Sequence, residues 1–330
     1  MNCQINKLDL SNKELLNKWD EFVDKSPEGT FYHKSYWLLN NIGSSFKSAQ
    51  SYELYYLTDK NNNWLAAFYI PTAKKFGKDF IVMPHMTPFG GVMVSPTIHK
   101  LTISKRIGNI KEINEIFISK LKEKTLLYYS FSPENTDMQP FIWNKYITSI
   151  RYTYRVNLFD EKILWSNLQE KTSVNKANKS NCKIKWGFDE YLDTYFQLNE
   201  KSFNSQNISN FDNDLTKKLL IELNKNSNCI IGIVFDENET PIGGCVLAYD
   251  TKRAYYIMGG VDRSNNYGMS YLLWESMLYT KNILTLDTFD FEGSMIPSIE
   301  KYFRKFGGEL TPYYSLNNIL LVLKNSIKKW

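Results

Sequence analysis

Apolar residues recur at helical spacing in Leu15, Leu16, Trp19, Phe22 and Val23. That period predicts an amphipathic helix over residues 12–25, ended by Ser26-Pro-Glu-Gly-Thr30. A short helix is expected over residues 34–41. The pattern then changes to aromatic and β-branched runs at 52–58, 64–72 and 79–83, separated by Asp59-Lys-Asn-Asn-Asn63 and Lys74-Lys-Phe-Gly-Lys78. These predict antiparallel strands joined by hairpins. Helical periodicity returns over 101–122, followed by a strand at 126–131, a short helix at 138–146 and a strand at 148–159.

From there the order restarts. A helix over 161–170 leads to a stretch, 171–185, that carries Lys171, Lys176, Lys179, Lys183 and Lys185 and no acid. Helices at 191–203 and 215–224 precede three strands, 229–235, 242–249 and 254–261. A loop, a helix over 271–281, a strand over 285–291 and a helix over 297–306 follow, stopped by Gly307-Gly308. The two halves share this architecture without a residue-level repeat. They predict two mixed α/β (α+β) domains, residues 1–155 and 156–330, each a mostly antiparallel sheet flanked by helices.

Composition narrows the class. A chain of 330 residues fits two domains of about 150 residues each. With 43% hydrophobic and 15% aromatic residues, it reads as packed and globular rather than disordered. A net charge of +5 allows a phosphate-rich ligand without demanding nucleic acid. Cys3, Cys182, Cys229 and Cys245 are scattered, and His33, His85 and His99 do not complete a zinc-like spacing, so reduced structural thiols and no metal are expected. The sequence opens without a charged-then-apolar leader and has no apolar run near about 18 residues, so a soluble, cytoplasmic protein is expected. Residues 317–330, apolar then basic, are expected to pack as a final strand or helix.

Candidate chemistry gathers near the C-terminus. The run Arg263-Ser-Asn-Asn-Tyr-Gly-Met-Ser270 links a strand to a helix. A helix start offers unpaired N–H groups and partial positive charge, Gly268 permits close approach, and Arg263 can pair with a phosphate. Asn266, Met269 and Ser270 complete the candidate loop; the bland reading is a turn. On the strand before it, Tyr256, Met258, Gly259 and Gly260 combine a ligand-sized aromatic with glycines that open the backbone or mark a bulge. The strand over 284–292 places Asp287, Phe289 and Phe291 on one face and Thr288, Asp290 and Glu292 on the other. Three carboxylates are costly to bury in such a strand, so Asp290 and Glu292 are expected to emerge at a cleft. They read equally well as a general base for an amine or, with Ser294, as caps of the next helix. That helix is expected to bury Ile296, Ile299, Phe303 and Phe306 and turn Lys301, Arg304 and Lys305 outward. The lysine stretch reads as a solvated helix face, a grip on a phosphorylated substrate, or a nucleic-acid contact.

The order strand, Arg263-x-x-Asn266-x-Gly268 loop, helix, acidic strand resembles the GCN5-related acyltransferase (GNAT) fold. Asn266 stands where that family's Gln/Arg-x-x-Gly-x-Gly/Ala loop has its first glycine. The chain is more specifically similar to the FemAB-like branch, with two such domains in tandem. That likeness rests on Trp19-Asp-Glu-Phe-Val with Ser26-Pro-Glu-Gly-Thr-Phe-Tyr-His33, on Ser173-Val-Asn-Lys-Ala177 with Lys179, and on Asp290-Phe-Glu-Gly-Ser with Tyr302-Phe-Arg-Lys-Phe-Gly-Gly308. The resemblance implies acyl or aminoacyl transfer to an amine, from acetyl-CoA or another acyl-CoA, or from aminoacyl-tRNA as in peptidoglycan cross-bridge enzymes. It implies a sugar or amino-acid amine of a cell-envelope precursor as acceptor, Lys176 and Lys179 as substrate-gripping groups, and Arg304 near the reacting centre. The rival is a binding protein on the same fold that recognises RNA or a precursor without chemistry.

Overall fold

A computed structural model describes residues 3–204, 212–262, 267–293 and 295–318. The chain divides into two compact units. Unit 1 takes the residues up to Arg151 and resumes at Pro312; unit 2 is Tyr152–Thr311.

Unit 1 begins with β1 (Gln4–Lys7), α1 (Lys13–Lys25), a 3-10 turn (Phe31–His33) and α2 (Ser35–Asn40). It continues through β2 (Ser51–Thr58), β3 (Trp64–Lys75), β4 (Lys78–Ile81), β5 (Val92–Val94), α3 (Pro96–His99), α4 (Ile103–Leu121), β6 (Thr125–Leu126), β7 (Tyr128–Ser130) and α5 (Gln139–Trp143). Asn12 starts α1 by accepting a hydrogen bond from the Leu15 amide at 3.1 Å. The helix buries Trp19, Phe22 and Val23, and the Trp19 indole donates to the His33 carbonyl at 2.7 Å. The sheet order is β1-β2-β3-β4-β6, with β5 also on β3. All of these pairs are antiparallel except β4 with β6, joined in parallel at Phe80↔Thr125 and Ile81↔Leu126. The strand expected over 126–131 is therefore two short ones: β6 adds to β4, and β7 pairs with the end of a strand from the far C-terminal side.

Unit 2 enters within β8 (Ile147–Asn157). Its helices are α6 (Glu161–Asn167), α7 (Lys171–Lys179), α8 (Leu192–Asn204), α9 (Asn213–Lys225), α10 (Gly268–Asn282) and α11 (Pro297–Phe303). Its strands are β9 (Lys183–Gly187), β10 (Cys229–Phe235), β11 (Pro241–Tyr249), β12 (Ala254–Val261) and β13 (Thr288–Asp290); β14 (Glu309–Asn317) begins here and ends in unit 1. The strands run β8-β13-β12-β11-β10-β9, antiparallel except for β12 with β13. Each unit thus holds a meander and one short parallel pair reached through a helix. This is the tandem mixed α/β architecture the sequence predicts. The helix expected over 161–170 stops at Asn167, because Leu168 leaves helical geometry at ψ 124°; a further helix, α7, carries Lys171–Lys179 of the lysine stretch.

The unit 1 core places Phe117 of α4 against Phe68 of β3 and Tyr129 of β7, with ring centroids 4.9 and 5.4 Å away. Leu316 from β14 is fully buried in the same cluster. Large aromatics in such a core carry both apolar burial and packing that a smaller residue leaves as a cavity. Phe117→Ala is expected to lower unfolding free energy by about 3–5 kcal/mol, read from the shift of a denaturant transition.

Candidate active site

The parallel pair of unit 2 is short. β12 and β13 meet at Ala254↔Phe289 and Tyr255↔Asp290, and β13 then ends while β12 runs on to Val261 with β11 along its other side. Residues Tyr256–Val261 therefore have no strand on the β13 side among the described residues. The chain turns away because Glu292 and Gly293 both adopt left-handed backbone conformations, φ 56° and 72°. A side chain on Gly293 would overlap the Tyr152 carbonyl oxygen, so only glycine fits there. This corrects the expected strand over 284–292, which is three residues long, with Thr285 also left-handed at its approach.

Several of the predicted donor residues, Tyr256, Gly259 and Met269 among them, lie beside this opening. A Cβ on Gly259 would overlap the Tyr256 hydroxyl and lie 3.1 Å from the Met269 methyl. Tyr256 and Met269 thus lie at the backbone of β12 where it has lost its neighbour. Tyr256 packs edge-on to Phe303 of α11 at 5.7 Å, and burial raises its hydroxyl pKa well above the ordinary value. Met258 pairs with Val246 on β11, and Gly260 lies against Asn199 of α8. Asn199, which the sequence did not single out, is buried and donates to the Gly259 carbonyl and the Tyr195 hydroxyl, each at 3.2 Å.

The helix expected over 271–281 begins earlier: Gly268, Met269 and Ser270, expected in the loop, form the first turn of α10. Arg263 and Asn266 lie outside the described residues. The Ser270 hydroxyl donates to Glu170 at 2.9 Å and lies 3.0 Å from the Tyr302 hydroxyl. Glu170 also takes the Ser173 hydroxyl at 2.8 Å and the Lys305 ammonium at 2.6 Å. Burial pushes the Glu170 pKa upward, but the hydrogen bonds from Lys305, Ser173 and Ser270 and the Lys305 charge outweigh it, leaving the pKa below the usual glutamate value. The Lys176 ammonium sits 4.7 Å from the Tyr267 ring centre, directly before α10. Lys179 is exposed one turn farther along. Lys176 and Ser270, predicted for different ligands, thus flank one helix start.

The tail of α11 departs from expectation. Lys305 turns inward to Glu170, whereas Arg304 is 54% exposed with its guanidinium 3.8 Å from Glu300. Of the four apolar residues expected to be buried, Phe303 and Phe306 are, but Ile296 and Ile299 are exposed.

The two candidate carboxylates have opposite surroundings. Asp290 is not at a cleft surface; it is fully buried. One oxygen accepts from the Thr153 hydroxyl at 2.6 Å and the Glu292 amide at 2.8 Å; the other meets the Arg155 guanidinium at 2.7 Å. The expectation of emergence fails because Thr153 and Arg155, brought in by β8, compensate its burial. Neither carboxylate caps α11, whose N-cap Ile296 has no side-chain bond; Ser294 lies outside the described residues. Glu292, in contrast, has a carboxylate oxygen shut away from solvent with no partner among the described residues. Burial raises its pKa well above the ordinary glutamate range. A strained backbone and an uncompensated carboxylate are features that cluster at functional sites.

Competing nucleophiles are weak: burial pushes the Cys245 thiol up to about 12 and Cys229 higher still. Among the described residues there is no metal-binding cluster of His, Cys, Asp or Glu, and no helix is long and apolar enough to cross a membrane.

Neither protein-family models nor curated protein sequences give a match to this chain. Solved structures do. FemX superposes with a TM-score of 0.65 at 11% identity, over 94% of this chain and 96% of its own. The C-terminal domain of a putative lysylphosphatidylglycerol synthetase from Agrobacterium fabrum gives 0.59 at 10% identity, over 97% of both chains. L-PGS from Bacillus licheniformis gives 0.53 at 10% identity, over 96% of both. At such identities the likeness is one of fold: a FemAB-like, GNAT-type fold.

The Glu292 environment makes a signed prediction. The unfolded chain releases this proton near 4.5, whereas the folded chain holds it to higher pH. Between those values the folded state binds more protons, so the Glu292 contribution to stability falls as pH rises. Melting curves of the native protein and Glu292→Gln should diverge upward from about pH 4.5 in favour of the variant; a constant gap would refute the burial argument. Arg155→Met should instead cost about 3–5 kcal/mol at neutral pH, by stranding Asp290.

Proposed function

We propose that the protein is a transferase that moves an acyl or aminoacyl group onto an amine, with its donor in unit 2. The observation that carries this reading is the parting of β12 from β13, which leaves a strand edge open beside the start of α10. An acyl-CoA donor has the matching shape: an amide-bearing arm that can pair with a strand edge, and phosphates that suit a helix start. Tyr256, Met258, Gly259 and Gly260 would line the arm. Arg263, Asn266, Gly268, Met269 and Ser270 would hold the phosphates, with Lys176 and Lys179 near them for a phosphate of donor or acceptor.

In the proposed reaction the acceptor amine attacks the thioester carbonyl, the C–N bond forms and the C–S bond breaks. A β12 backbone N–H stabilises the oxyanion. Glu292 takes the amine proton, which then passes to the departing thiolate. Asp290, with both oxygens committed, fixes the end of the strand two residues before Glu292. Lys305, held by Glu170, is better set than Arg304 to steady negative charge near α10. The proposed acceptor is a sugar or amino-acid amine of a cell-envelope precursor, in keeping with the fold shared with FemX.

Unit 1 offers no equivalent opening at β5. There the Asn135 amide bonds both the Val92 N–H and C=O, at 3.0 and 2.9 Å, and Ser26 and Glu28 take the Val94 N–H at 3.0 Å. β12 carries such a bond too, from Asn199 to the Gly259 carbonyl, so the contrast between the two edges is one of degree.

Titration calorimetry with acetyl-CoA is expected to show binding that Gly259→Val abolishes and Arg263→Ala weakens. Glu292→Gln should lower kcat/KM by about 10²-fold or more and remove the rise of rate with pH that ionisation of the base produces. Absence of binding to any acyl-CoA, with steeply salt-dependent affinity for tRNA, would move the donor to aminoacyl-tRNA. Affinity for RNA or a precursor with no turnover of either donor would leave a binding protein.

A further inference from the structure

Unit 1 contains a cavity of about 720 Å³ between the first half of α4, strand β5 and the segment leading into α5. That volume lies within the range of small-molecule sites. Its walls are mixed: Ile110, Phe131 and Phe141 give an apolar body, while Arg106, Asn114 and His99 give polar ends.

Asn114 lines the cavity at only 8% exposure, and its amide has no hydrogen bond with any described residue. The amide is thus left to whatever occupies the cavity, water or a ligand. Arg106 and Asn114, eight residues apart on α4, both line the cavity. Arg106 likewise forms no ion pair among the described residues, although its charge acts on His99.

Two of the acids at the cavity are paired with basic groups. Glu28, buried, meets the His99 Nε2 at 2.8 Å, and Asp137 is held by Lys111 at 2.5 Å. Glu134, also in the wall, has a partner of its own. Two basic groups that act on each other, His99 paired with Glu28 and Arg106 without an ion pair among the described residues, leave a place for an incoming negative charge.

We propose that this cavity binds a small amphipathic anion: a carboxylate or phosphate head on Arg106 beside His99, a hydrogen-bonding group on Asn114, and an apolar body along Ile110, Phe131 and Phe141. The site is separate from the open β12 edge and does not depend on what that edge binds. The edge of β5 is closed by Asn135, Ser26 and Glu28, so this cavity does not repeat the donor geometry of unit 2.

The full chain, titrated calorimetrically with octanoate, octyl phosphate and neutral octanol, provides the test. One or both anions should bind more tightly than octanol, and the preferred head identifies carboxylate or phosphate as the source. Arg106→Gln should weaken the preferred anion by about tenfold or more, the size of a charge-assisted bond. Ile110→Trp, which fills the cavity, should abolish binding while leaving acetyl-CoA binding and the melting transition as they were. Equal affinity for octanol, an unchanged affinity in Arg106→Gln, or retention of the anion in a folded Ile110→Trp would each overturn the proposal, as would no binding at all. If acetyl-CoA fails to bind but the anion still does, only the donor assignment falls.

Discussion

The geometry of the open edge depends on one buried ion pair. Asp290 is the last residue of β13, and its carboxylate is divided between Thr153 and Arg155 of β8 and the amide of Glu292. Those bonds fix β13 against β8 at Asp290↔Arg155, while the backbone beyond turns left-handed through Glu292 and Gly293. There β13 stops, β12 continues with β11 along its other side, and the chain goes on to α11. Buried pairs of this kind add little net stability over an apolar replacement, but breaking one is severe. Their value here lies in specifying where a strand ends.

The same carboxylate leaves Glu292 exposed to a different fate two residues on. The Asp290 oxygen accepts the Glu292 amide, so the backbone of Glu292 is satisfied while its side chain has no partner among the described residues. Two acids in one short segment thus have different surroundings: one is committed to holding the fold, and the other has its pKa raised by burial. Such a division of labour between neighbouring carboxylates is a recurring source of acid–base function.

Much of the secondary structure was legible because it depends on local periodicity. The three strands from Cys229 to Val261, the helix after Gly268 and the amphipathic stripe of α1 are written in apolar spacing over contiguous residues. What was not legible depends on partners far along the chain. Asp290 could be read as a cap or a base because Arg155, which settles its environment, lies 135 residues away. Lys305 looked like one of several outward basic residues because Glu170 is equally distant. Ile296 and Ile299 matched a helical apolar face, yet α11 is too short and too peripheral to bury them. Asn199 carried no signal at all, since an asparagine within a helix is unremarkable until the Gly259 carbonyl is found beside it.

The division of the chain has a consequence for the order in which the protein is made. Unit 1 resumes only at Pro312, and its core includes Leu316, which arrives after all of unit 2. Unit 2 is an uninterrupted stretch, Tyr152–Thr311, and its last residue leaves the ribosome before the strand β14 is complete. Domains generally fold as units during synthesis, N-terminal first. Here the unit that comes first in the sequence receives Leu316, part of its core, only after the whole of the later unit has been made.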